Sequence, residues 1–280
     1  VATGCEVRKL AGGAGVVMAV SVTPGGRYVV SGSNDKTVRL WDIATGREIS
    51  MLEGHTGPVT AVTVTPDGRY VVSGSHDHTV RMWDCTTGRE VCKMEGHAGP
   101  VTAVSVTRDG RHVLSGSADH TVRMWDVATG RELRKMEGHT APVTSVSVTP
   151  DDRHVVSGSF DRSVRLWDVA TGREVRKPEG HTGPVTAMLV TPDGRHVVSG
   201  SNDNTVRMWN VATGREVRKL CGHTGSVTAV TVSPDGSHVV SGSADHTIRI
   251  WDVATGHELR KLEGHTGAVT EVSVTPDGRH

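Results

Sequence analysis

Short runs of β-branched residues alternate with polar ones, then break, and the pattern starts again. In residues 95–136, "GPVTAVSVT" places valine against threonine, serine and alanine and predicts a strand. "RDG" follows, where most other stretches have "PDG", a turn signal. "RHVLSGS" predicts a second strand, "ADH" a tight connection and "TVRMWDV" a third strand. "ATG" turns the chain once more before "RELRKM", a fourth strand. Four short strands joined by tight turns predict a meandering antiparallel sheet, with strands a, b, c and d in chain order.

The pattern keeps a fixed step. Trp41, Trp83, Trp125, Trp167, Trp209 and Trp251 each follow the last by 42 residues. The Gly-His pairs ending at His55, His97, His139, His181, His223 and His265 keep the same step, with no insertion. A constant period marks one structural unit stacked many times. It argues against linkers, so a single all-β domain over residues 1–280 is expected. One such sheet cannot hide both faces alone. Stacking several face to face and bending the stack into a ring gives a propeller. Strand d would be the outer edge, where Arg134 and Lys135 resist pairing with other chains. Pro178 ends one such strand where the others carry Leu or Met, and an edge tolerates it.

Gly-His, "PDG" and "SGSxDxTVRxWD", six times in phase, resemble the WD-repeat (WD40) β-propeller family over essentially the whole chain. The resemblance implies six complete four-stranded blades plus a partial seventh. It also implies a hydrogen-bonded group of four in each blade. The groups would be His55, Ser73, Asp77 and Trp83; then His97, Ser115, Asp119 and Trp125; then His139, Ser157, Asp161 and Trp167. His181, Ser199, Asp203 and Trp209 follow, and lastly His223, Ser241, Asp245 and Trp251. A buried indole N–H, hydroxyl and imidazole all need partners, and one chain of hydrogen bonds satisfies them together.

Serine, histidine and aspartate in one network also describe a catalytic triad. Five near-identical copies suit a repeated scaffold better than one active site. No nucleophile elbow, HExxH or phosphate-loop motif accompanies them. "GGAG" at Gly12 to Gly15 lacks the lysine and hydroxyl of a phosphate loop and reads as a turn or loop. The first unit departs from the pattern. It has Gly12-Gly13 in place of Gly-His, so Ser31, Asp35 and Trp41 have no histidine, and this blade is expected to be the least rigid.

The chain begins just after a "WD" position and stops before a strand b. Residues 1–10 are expected as the outer strand of an incomplete blade, with Cys5 to Leu10 as its strand d. Residues 265–280 would be its partial inner strand, with Val269 to Val274 as strand a. Seven whole units would span 294 residues, 14 more than the chain has. A fragment of a longer array, an imperfect ring and recruitment of another chain all remain open.

Comparing the units with one another separates scaffold from choice. The residue before each Asp of the b–c turn varies: Asn34, His76, Ala118, Phe160, Asn202 and Ala244. So does the residue after it: Lys36, His78, His120, Arg162, Asn204 and His246. In the family this chain resembles, the b–c and d–a loops share a face that binds peptides or proteins. These twelve residues are therefore the candidate partner contacts. Phe160, the one phenylalanine, stands beside Arg162 in this turn and reads as an interface anchor.

Composition narrows the partners. Lys plus Arg equals Asp plus Glu at 31 each, which gives no reason to expect nucleic acid or an anionic membrane. No apolar run approaches the ~20 residues of a spanning helix. "VATGCEVRKL" has neither an initiator Met nor the apolar core of a signal peptide. Cys5, Cys85, Cys92 and Cys221 form no CxxC pair and no zinc spacing, which leans toward a reducing, intracellular and cytoplasmic setting. His112, His154, His196, His238 and His280 open strand b, where Tyr28 and Tyr70 stand in the first two units. Their expected role is packing or exposure, since zinc would need several of them within ~2 Å of one ion.

A non-catalytic platform for protein or peptide recognition, without cofactor or metal, is the leading reading. The rival is an enzyme or metal-binding propeller with a site in the central channel. Only Glu271 breaks the strand-a pattern set by Ala61, Ala103, Ser145, Ala187 and Ala229. One carboxylate is too little for paired acid–base chemistry.

Overall fold

The computed structural model describes residues 10, 12 and 15–275. The described residues form six four-stranded antiparallel sheets and no helix. Each sheet is a plain meander, with neighbours in chain order a-b-c-d. Blades 1 to 6 cover residues 17–52, 59–94, 101–136, 143–176, 185–221 and 227–262. The chain divides into two compact units, Val1–Glu137 with blades 1 to 3 and Gly138–His280 with blades 4 to 6.

Blade 2 shows how the sequence dictates the unit. Strand a is Val59–Val64, strand b Tyr70–Ser75, strand c Val80–Asp84 and strand d Glu90–Met94. "TPDG" makes the a–b turn. Gly68 takes φ 72° there and donates its N–H to the Thr65 carbonyl at 2.8 Å. Asp67 braces the turn by accepting from the Thr65 hydroxyl at 2.6 Å. In blade 4 an aspartate, Asp152 at φ 56°, stands where the glycine would be. Strand a carries a bulge at Thr60, between Val59 and Ala61.

Apolar faces are covered by the next blade. In the first unit, Val30, Val38, Leu40 and Leu52 of blade 1 pack against Val59, Val71 and Trp83 of blade 2. Val72, Val80, Met82 and Met94 then meet Val101, Val113 and Trp125 of blade 3. The second unit repeats the scheme: Val198, Val206, Met208 and Leu220 of blade 5 meet Val227, Val239 and Trp251 of blade 6. Gly74 in "SGS" permits the close approach, because a Cβ there would lie 2.5 Å from Val101 Cγ1. The bulged threonine adds a polar stitch. Thr144 Oγ1 lies 3.0 Å from its own blade's Gly158 carbonyl and 2.8 Å from the Val185 carbonyl of the next. Thr60, Thr186 and Thr228 make the same link, whereas blade 1 has Met18 at this position.

Two expectations are corrected. Pro178 does more than sit tolerated at an edge: strand d of blade 4 is cut to Glu174–Arg176, three residues. Proline has no N–H to give to the ladder, so the pairing that joins Met136 to Val122 in blade 3 has no equivalent. Val269 to Val274 belongs to no strand, because none of the described residues forms a strand b beside it to complete a ladder. The strand expected at Cys5 to Leu10, the middle of the loop read at Gly12 to Gly15, Cys5 and His280 fall wholly or partly outside the described residues.

Candidate functional site

The b–c turn of each of blades 2 to 6 meets the d–a loop that precedes the blade over one hydrogen-bonded chain. In blade 2, Trp83 Nε1–H donates to Ser73 Oγ at 2.8 Å. His55 Nε2 is 2.8 Å from the same Oγ, and His55 Nδ1 is 2.7 Å from Asp77 Oδ2. A carboxylate can only accept, so Nδ1 carries a proton, and burial favours the neutral imidazole, which leaves Nε2 as an acceptor. The proton order is therefore indole N–H to serine, serine O–H to Nε2 and Nδ1–H to Asp77, with a neutral imidazole. Asp77 also accepts from Thr56 N–H at 2.9 Å and the Thr79 hydroxyl at 2.6 Å, tying the d–a loop to the b–c turn.

The structure brings together His97, Ser115, Asp119 and Trp125 in the same way. His139, Ser157, Asp161 and Trp167 meet likewise, as do His181, Ser199, Asp203 and Trp209. His223, Ser241, Asp245 and Trp251 complete the set. In blade 1, Trp41 Nε1–H reaches Ser31 at 2.8 Å, and residue 13 is glycine, so the imidazole is lacking.

Electrostatics match this order. Burial opposes the charge on Asp77, but the Thr79 hydroxyl, the Thr56 N–H and the His55 imidazole together hold its carboxyl well below the usual range. At Asp203 burial is likewise outweighed, by Thr205 and His181, and the value falls to about 2. Burial pushes the His55, His181 and His223 imidazoles down and outweighs the pull of their aspartates.

A second polar pair, which the sequence reading missed, underlies each network. Arg39 Nη1 binds Glu48 Oε2 at 2.6 Å, and Arg81–Glu90, Arg123–Glu132, Arg165–Glu174, Arg207–Glu216 and Arg249–Glu258 repeat it. The signal was present, since both residues recur in all six units. This pair accounts for the glycine of Gly-His. A Cβ on Gly54 would lie 2.6 Å from Arg81 Nη1 and 3.1 Å from Trp83 Cη2.

The variable residues sit on the rim of these networks. In the first unit, Asn34, Lys36, His76 and His78 are exposed, and Ala118 and His120 are half-buried. In the second, Phe160, Arg162, Asn202 and His246 are exposed, and Asn204 and Ala244 are half-buried. Phe160 leaves 49% of its surface open. The residue before each aspartate has its backbone tied down: His76 N–H donates to Pro58 O at 2.9 Å, and Phe160 N–H to Pro142 O at 3.0 Å. The residue after it is left-handed in every blade, with φ between 67° and 73° at Lys36, His78, His120, Arg162, Asn204 and His246. No glycine marks this position in any unit, so the sequence gives no hint of it. Neighbouring loops touch in the second unit, where the Ser226 hydroxyl donates to Asn202 Oδ1 at 2.7 Å.

Among the described residues, no three His, Cys, Asp or Glu side chains converge as metal ligands. His112, His154, His196 and His238 are half-buried at the start of strand b. Cys85, Cys92 and Cys221 carry free thiols, and burial lifts Cys85 to about 11. Glu271 lines a groove on blade 6 rather than standing on a strand. No helix among the described residues is long and apolar enough to cross a membrane.

The family model for the WD domain, G-beta repeat, matches residues 4–42, 46–84, 88–126, 130–168, 172–210, 214–252 and 256–280. The chain belongs to the WD40 family. A search of curated proteins gave no match. Family membership makes it a β-propeller domain of the protein-interaction scaffold kind, built here from six full WD repeats and a partial seventh.

Proposed function

We propose that this WD40 domain is a non-catalytic platform that recognises a protein or peptide through its b–c turns and d–a loops. One observation carries the reading. Within a single turn the aspartate is held by up to four hydrogen-bond donors, while the side chains on either side vary and mostly point to solvent. Backbone ties fix the points from which those side chains project, so little backbone order is lost on binding. Phe160 and Arg162 are the expected anchors in the second unit, because aromatic and arginine side chains dominate interface energies.

The arrangement also speaks against the triad reading. Ser73, Ser115, Ser157, Ser199 and Ser241 are each 0% exposed, so no substrate carbonyl can reach their hydroxyls. A nucleophilic serine must meet its substrate. The test is affinity capture from cell extract with the native chain, then measured affinities for Phe160→Ala and Arg162→Ala. At least one variant should weaken a captured partner about tenfold. Affinities unchanged within about fivefold for every partner overturn the assignment.

A further inference from the structure

One corner of blade 5 departs from the repeat in several places at once. Elsewhere a glutamate precedes Gly-His: Glu53, Glu95, Glu137, Glu179 and Glu263. In the same five units a basic side chain follows the aspartate of the b–c turn: Lys36, His78, His120, Arg162 and His246. In blade 5 these two places hold Cys221 and Asn204. The ladder pairs Cys221 with Thr205, the residue after Asn204, so the two changes are neighbours.

The exchange leaves a charge over. Lys135 Nζ lies 2.5 Å from Glu137 and Lys177 Nζ 2.8 Å from Glu179, and Lys93–Glu95 and Lys261–Glu263 repeat the pair. The hydrogen bond and charge of Lys177 hold the Glu179 carboxyl below its usual value, so an ammonium at this place favours a carboxylate. Lys219 is the equivalent lysine of blade 5. It is exposed, has Cys221 where the glutamate would be, and makes no ion pair among the described residues.

The turn beside it has donors to spare. Ser226 stands where four units have proline, and its hydroxyl donates to Asn202 Oδ1 at 2.7 Å, which leaves the Asn202 Nδ2–H groups unused. The Asn204 carboxamide has no hydrogen-bond partner among the described residues. Asp203 and Asp245 each have four hydrogen-bond partners already, so neither answers the surplus.

We infer that this corner of blade 5 receives an aspartate or glutamate side chain of the bound protein, in the place that Glu95, Glu137, Glu179 and Glu263 fill in the other blades. The inference rests on the platform reading above and adds the partner's chemistry. Lys219 supplies the charge, and the Asn202 and Asn204 amides supply donors from one turn.

Short random peptides displayed on phage are selected on the full chain, and the selected peptides are titrated by fluorescence anisotropy. They should share an aspartate or glutamate. Replacing it by its amide, or introducing Lys219→Gln or Cys221→Glu in the protein, should weaken binding at least about fivefold. Cys221→Gln, of equal size without the charge, should weaken it less than Cys221→Glu. Both residues are exposed, so the fold survives the changes, as circular dichroism would verify. Selected peptides without an acidic residue, or equal affinity for the native chain and Cys221→Glu, overturn the inference. If such peptides still lose affinity on Phe160→Ala, the platform reading stands without it. A library that yields no binder also overturns the inference, while capture from cell extract decides the platform reading separately.

Discussion

Replacing Ser73 and Ser31 by alanine, one at a time, tests what the imidazole adds to a blade. In blade 2, Ser73 is the hub: it accepts from Trp83 and donates to His55. Ser73→Ala strands an indole donor and an imidazole acceptor at a site with 0% exposure. Each stranded group costs about 1–3 kcal/mol, so the loss should be about 2–6 kcal/mol. The hole left by one oxygen is about half the volume a water needs, so no water repairs it. In blade 1, Ser31→Ala strands only the Trp41 N–H, because residue 13 is glycine. That loss should be about 1–3 kcal/mol. Native-state hydrogen exchange by mass spectrometry resolves the two, using peptides over residues 28–42 and 70–84. Exchange should accelerate about tenfold or more beyond the blade 1 variant in the blade 2 variant. In the unaltered protein, Val38–Asp42 should already exchange faster than Val80–Asp84, since blade 1 also lacks the threonine stitch. Equal losses in the two variants, within about 0.5 kcal/mol, would refute the claim that the imidazole makes the blade 2 serine worth more than its blade 1 counterpart.

Acid should destabilise the fold in two stages. His55, His181 and His223 bind protons more weakly folded than unfolded, so stability is full above their ordinary value of about 6.5 and falls as pH drops below it. The depressed carboxyls, Asp203 among them, contribute stability above about pH 4 that is lost as pH falls toward their folded values. A thermal midpoint flat between pH 7.5 and 4.5 would contradict the first stage. His78→Gly should raise the thermal midpoint, because relief of left-handed strain of about 1–2 kcal/mol outweighs the extra chain entropy of glycine. His76→Gly, at a residue without positive φ, should lower it, and equal effects at both positions would refute the strain argument.

Much of this architecture was legible in the sequence because it depends on spacing. Alternation in "VTAVSV" and the turn residues of "PDG" and "ATG" mark strands and corners, and each leaves a local trace. The residues that meet in each hydrogen-bonded chain could be named from the repeat, though the direction of its protons needed the geometry. The left-handed turn residue stayed hidden, because the hydrogen bonds to Asp77 and its equivalents enforce φ without a glycine to announce it. The Arg81–Glu90 pair was hidden by its own chemistry, since charges on strands c and d read as solvent-facing until Gly54 and Trp83 are seen to enclose them. At Pro178 the sequence showed that an edge strand would survive. Only the ladder showed how short it becomes.

The confinement of each polar network to one period has a consequence for inheritance. From Gly54 to Glu90, blade 2 holds its whole hydrogen-bonded chain and its arginine–glutamate pair, and only apolar side chains and one threonine reach into the next period. A recombination that misaligns the gene by 42 codons thus cuts no network and rejoins like faces to like. Chains of this design can gain or lose whole periods in a single event, and each product keeps these hydrogen-bonded chains whole.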